Sequence, residues 1–186
     1  MLESASPDER WMATRRLAAS PANAGRLGER LAREQDKRVR EAIFTALAHI
    51  GTEEAAGIAI SSIRNEDAAV RTEALDALCA MPNAALPHLP ALLSDPDSDI
   101  RLLSCEIVRQ LPTRTATELL CRLLENEMQA NVCAAAVEVL SEVGETSALP
   151  VLAKCAERFS DVSFLAFAIQ IATTRIGNGA VSAKPA

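Results

Sequence analysis

Tyrosine is absent from this 186-residue chain, tryptophan occurs once, and aromatic residues of all kinds make up only 3%. A core with so few rings must be built from Ala, Leu, Ile and Val, and Ala and Leu strongly favour helix. Glycine is scarce, with seven residues, and no Asn-Gly or Asp-Gly pair stands between alternating strands. That excludes a hairpin-built β protein and predicts an all-α fold. No run of eighteen apolar residues occurs, which argues against a membrane span. The first residues, MLESASPDERW, carry acids where a secretory signal would be basic and then apolar. A cytoplasmic location is the expectation. The five cysteines fit it: their number is odd and none forms a C-x-x-C pair.

Charge of one sign is also missing where a nucleic-acid binder would need it. The net charge is −6. Residues 1–40 hold nine Arg/Lys against six Asp/Glu, whereas residues 41–186 hold ten against nineteen. The only basic run, Arg26 to Arg40, is interrupted by Glu29, Glu34 and Asp36. A solvated helix face explains it better than a phosphate-binding patch, so nucleic acid is disfavoured as a partner.

What is present is a repeat. The stretches DKRVREAIFTALAHIG (36–51), DAAVRTEALDALCAMP (67–82) and DSDIRLLSCEIVRQLP (97–112) share Asp, then an apolar residue three positions on, then Arg. Aligned on the apolar position, the copies begin at Glu9, Val39, Val70, Ile100, Val132 and Val162, at spacings of 30, 31, 30, 32 and 30. Offsets 0, +4, +7 and +8 lie on one face of a helix. The +4 column reads Ala13, Ile43, Ala74, Ser104, Ala136 and Ala166, and small residues there let helices approach closely. Ser6, Asp36, Asp67 and Asp97 stand where a side-chain oxygen can accept the free amides of the first turn. Stops are expected at Ser20-Pro21, Gly51, Pro82, Pro112, Gly144 and Gly177. Between stops and starts lie five further amphipathic stretches, at 23–34, 52–65, 84–95, 115–126 and 147–159. Pro87 is expected near the start of the third, with Pro90 still within its first turn.

The unit D-x-x-V-R-x-x-A-x-x-A-L followed by ALP-x-L-x-x-L-L-x-D resembles the short HEAT-like repeat of the type found in phycobilisome lyases and many bacterial scaffold proteins. Its motif residues include Asp36, Val39, Arg40 and Leu47; Asp67, Val70, Arg71 and Leu78; and Asp97, Ile100 and Arg101. The resemblance covers about residues 6–177. It implies a right-handed α-solenoid, or superhelix, of about five helix pairs plus a final helix, as a single repeat domain over 1–177, with 178–186 a flexible C-terminal tail. It also implies that each Asp caps its helix and that each Arg pairs with an acid of the neighbouring repeat. The Arg column runs Arg10, Arg40, Arg71 and Arg101, then becomes Cys133 and Ser163.

The residues point to no catalytic centre. His49 and His88 stand alone, without the paired spacing a metal site uses, so no metal and no cofactor is expected. No His or acid is patterned beside any cysteine, which reads as packing. No Gly-rich phosphate loop or G-x-S-x-G elbow occurs. The expectation is a non-enzymatic protein–protein interaction scaffold or adaptor. Its alternative is a HEAT-like lyase or nucleic-acid-acting enzyme. Second helices in this family line the concave side, so the partner-binding candidates are Arg26, Arg30, Arg33, Arg64, His88, Arg122, Lys154 and Arg158. The final apolar stretch, VSFLAFAIQIATTRI (162–176), has no second helix after it. Phe164 and Phe167 there are expected to meet another protein or a second copy of this chain.

Overall fold

The computed structural model describes residues 1–182, with side-chain surroundings through Asn178. Among the described residues every regular element is helical, as the composition predicts. The chain divides into two compact units, Met1–His88 and Leu89–Ala186.

The first unit contains α1 (Pro7–Leu17), α2 (Ala24–Leu31), α3 (Lys37–Ile50), α4 (Glu53–Ser62), α5 (Ala68–Ala80) and the one-turn α6 (Pro82–Ala85). The first helices pack in series, α1 on α3 and α3 on α5. The second helices do the same, α2 on α4 and α4 on α6, and the two layers meet through α2–α3, α3–α4 and α4–α5. The seam between layers is aliphatic. Leu27, Val39, Ile43, Leu47, Ala55, Ala59, Ala74 and Leu78 are completely withdrawn from solvent. Burying one Leu fully contributes about 1.5–3 kcal/mol, and no single pair could bury both of its faces alone.

The second unit contains α7 (Leu89–Leu92), α8 (Ser98–Val108), α9 (Thr113–Asn126), α10 (Ala130–Val143), α11 (Leu149–Arg158) and α12 (Ser163–Ser182). Here α8 packs on α10 and α10 on α12, while α9 packs on α11. Ile107, Val108, Leu120, Leu124, Val137, Leu140, Leu152 and Leu165 form the corresponding seam.

The caps follow the repeat except at Ser6, whose side chain makes no cap hydrogen bond. The Asp36, Asp67 and Asp97 carboxylates accept from the amides of Val39, Ala69 and Asp99. Gly51 ends α3 with φ of 62°, the left-handed conformation that favours glycine.

Four local expectations are corrected. The stretch 84–95 is not one helix with both prolines in its first turn: it breaks into α6, a 3₁₀ turn (Leu86–His88) and α7. Pro87 and Pro90 cannot donate to the carbonyls one turn back, and their rings crowd those carbonyls. Gly177 does not stop α12, which runs on to Ser182. Gly177 is not in the left-handed conformation that would terminate a helix. The last copy is also out of register. The buried stripe of α12 is Leu165, Ile169, Ala172 and Ile176, so the repeat position falls on Leu165, not Val162. The reason is local: α12 starts at Ser163, and its third residue is Leu165. In the first copy, Glu9 and Arg16 occupy core columns but stay exposed, and α1 buries Arg10, Ala13 and Thr14. Of the tail expected at 178–186, residues 183–186 lie outside the described residues.

Candidate interaction surfaces

The Arg that recurs in the first four repeats works inward. Arg10 forks onto Glu34, with Nε to Oε2 at 2.9 Å and Nη2 to Oε1 at 2.8 Å, and its Nη1 donates to the carbonyls of Ser4 and Ala5. Arg101 repeats the arrangement with Glu127 at 2.6 and 2.9 Å, and donates to the carbonyls of Asp95 and Pro96. Arg71 donates to the equivalent carbonyls of Asn65 and Glu66. Arg40 reaches Glu73 on α5 at 2.7 and 3.1 Å. The family-implied pairing with an acid is present at Arg10, Arg40 and Arg101, whereas Arg71, among the described residues, bonds only carbonyls of the loop before its own helix.

Its electrostatics are structural. Burial alone would push the Glu34 carboxyl up. Hydrogen bonds from Arg10 and Arg30 and from the Asp36 amide outweigh that effect and hold it at about 2. Glu127 is lowered by Arg101 and by the Gln129 and Met128 amides against the same opposing burial. Just past the end of α8, Arg109 is raised by its bonds to Glu106 and to Glu142 of α10. Where the Arg column ends, Cys133 stands in its place, and its thiol donates to the Glu127 carbonyl. Arg158, from α11, instead donates to the carbonyls of Leu124 and Glu125 in the last turn of α9, and its guanidinium lies 5.3 Å from the Phe159 ring centre.

Cys105, Cys133 and Cys155 are buried and Cys121 is half-buried. Burial pushes the Cys105 thiol up to about 12. The interaction between the Cys133 and Cys155 thiols raises the first and lowers the second; Arg158 adds to the lowering of Cys155. Among the described residues no group of three or more His, Cys, Asp or Glu side chains is arranged to hold a metal ion.

The candidate contact residues separate into three groups. Arg30, Arg33 and Arg158 are held within the chain: Arg30 bonds Glu34 at 2.8 Å, Arg33 bonds Glu3 at 2.7 Å, and Arg158 caps α9. Arg26, Arg64, Arg122 and Lys154 are exposed. His88 is half-buried at the end of a broken helix, with Nε2 buried and without a hydrogen-bond partner. Phe164 and Phe167, one turn apart on α12, are 52% and 65% exposed. Sequence reasoning missed a groove of about 530 Å³ between α1 and α3, lined by residues including Trp11, Arg15, Ala42, Ala46 and His49. The channel beside Trp11 exists only because α1 packs on α3, a pairing between helices about thirty residues apart.

Helix pairs that share one seam within each unit, with an Arg at a fixed repeat position, define a helical-repeat protein. The chain belongs to the HEAT-repeat family, whose model matches residues 24–101 and 85–168. A search of the curated proteins gives no match. Among solved structures it is similar to an engineered protein, at 20% identity over 96% of this chain and 94% of that one, with a TM-score of 0.47. It is also similar to a designed armadillo repeat protein in complex with the peptide (KR)4, at 15% identity over 94% and 96%, with a TM-score of 0.47. A third similarity is to the complex of CpcE and CpcF of phycocyanin lyase from Nostoc, at 17% identity over 94% and 91%, with a TM-score of 0.40. No helix among the described residues is long and apolar enough to cross a membrane.

Proposed function

We infer that the protein is a non-enzymatic scaffold or adaptor that binds another protein. The observation that carries this reading is the outer face of α12. Phe164 and Phe167 stand in solvent on a helix whose opposite stripe is buried against α10 and α11. Between Ser163 and Asn178 the only charged residue is Arg175. An exposed aromatic pair in so uncharged a segment suits an apolar partner surface. The exposed cations Arg26, Arg122 and Lys154 on the second helices α2, α9 and α11 offer secondary polar contacts to the same kind of partner. What favours binding over catalysis is that Glu34 and Arg109, both strongly displaced in pKa, are committed to ion pairs. A single repeat domain over 1–177 is part of the proposal, supported by both family-matched segments running across His88–Leu89.

The test is affinity capture from the native host, with the full chain and with a Phe164→Ser/Phe167→Ser variant, alongside their masses in solution. The expected result is a partner, or a second copy, retained by the wild type and lost by an equally helical variant. Equal capture and equal mass in both proteins would contradict the assignment of α12.

A further inference from the structure

The groove between α1 and α3 lies in the first unit, on first helices, and belongs to neither surface described above. Its floor is made by small residues: Ala42 is half-buried and Ala46 buried. One wall carries Trp11 with Arg15 stacked over it, the guanidinium 4.9 Å from the ring centre. The α3 side runs from Arg38 to His49. At about 1.5 Å per residue that distance is about 16 Å, or three turns of helix. A volume of about 530 Å³ spread along such a length suits a chain segment better than a compact ligand.

The charges in the groove are not balanced. Arg38 is neutralised by Asp8 at 2.9 Å, and the groove's one acid, Glu41, is paired with Lys37 at 3.6 Å. Arg15 has no carboxylate partner among the described residues, only the Trp11 ring. His49 is exposed at the far end with no hydrogen bond among the described residues. The groove thus presents one uncompensated cation and one imidazole above an alanine floor, in a chain whose net charge is −6.

The geometry points to a docking site for an acidic amphipathic helix of a partner protein. Its apolar stripe rests on Ala42 and Ala46, and its carboxylates reach Arg15 and His49. The mode is a helix laid into a groove between two packed helices, where small floor residues allow close approach and charge sets orientation. Stacking on Trp11 holds the Arg15 guanidinium in place before the partner arrives, which lowers the ordering cost of the contact.

Trp11 is the single tryptophan of the chain, so its emission reports on this groove alone. The probe is a synthetic helical peptide of about fourteen residues, three to four turns, with Leu along one stripe and Glu flanking it. Its control carries Lys for Glu. The labelled peptides are also followed by anisotropy. Expected results are a saturable change in Trp11 emission with the Glu peptide, and affinity about tenfold weaker for Arg15→Gln or for the Lys peptide. Binding should also weaken with added salt. Arg15 is exposed, so Arg15→Gln should keep wild-type helicity. Ala42→Leu, which fills the floor, should abolish binding, while Phe164→Ser/Phe167→Ser should leave it unchanged. Absence of binding, equal binding of the Lys peptide, or equal affinity in Arg15→Gln would overturn the site.

Discussion

The Arg10 guanidinium and the Glu34 carboxylate, twenty-four residues apart, meet as a two-bond fork at 2.9 and 2.8 Å. Glu34 also accepts from the amides of Gln35 and Asp36, immediately before α3 begins. One carboxylate therefore joins α1 to the loop that starts the next first helix, and it fixes the position of the capping residue Asp36.

This carboxylate makes stability depend on acid. Glu34 in the folded protein titrates at about 2, against an ordinary value of 4.5. Between those values the unfolded chain binds the proton more tightly, so stability rises with pH. The contribution is complete above about pH 4.5 and is lost as pH falls toward 2. Urea melts of the wild type and Glu34→Gln across pH 2–7 should show the variant less stable at pH 7, with a shallower acid slope. Parallel curves would show that the fork carries no linkage.

Asp36 caps α3 through the Val39 amide at 3.1 Å. Asp36→Ala should cost about 1 kcal/mol, and Asp36→Ser should recover most of it. Thermal melting of the three proteins measures both.

The glycines of α4 and of the end of α10 should respond in opposite directions. A methyl group at Gly57 meets nothing within 4 Å. Gly57→Ala should stabilise by about 0.5–1 kcal/mol, since alanine is the better helix residue. A methyl at Gly144 would strike the Leu140 carbonyl and come within 3.2 Å of Ile176 Cδ1, so Gly144→Ala should lower the melting midpoint.

The caps and the seam were legible because they are local and periodic. Asp36, Asp67 and Asp97 stand at one offset from Val39, Val70 and Ile100, and each accepts a first-turn amide. The Arg column was legible, but its partners were not all at one offset. Arg10 and Arg101 find acids in the loop before the next first helix. The corresponding residue for Arg40 is Asn65, and Arg40 turns to Glu73 instead. The register of α12 was lost because Val162 is apolar and matches the column by type, whereas the helix begins one residue later. The effect of Pro87 with Pro90 exceeded that of one proline, since two amides are missing within one turn. The Trp11 groove left only a faint trace: an indole in an aromatic-poor chain, opposite the alanines at 42 and 46.

The central claim is that neighbouring helix pairs support one another through a shared aliphatic seam, and Leu78, fully buried on α5, tests it most directly. Leu78→Asp places an unpaired charge there at a cost of about 4 kcal/mol or more, whereas Thr72→Asp, on the exposed face of the same helix, should change little. The measurement is helical circular dichroism through a thermal melt of both variants. Lost helicity and a collapsed transition in Leu78→Asp alone are the predicted result. Full helicity with a wild-type midpoint in Leu78→Asp would contradict the account.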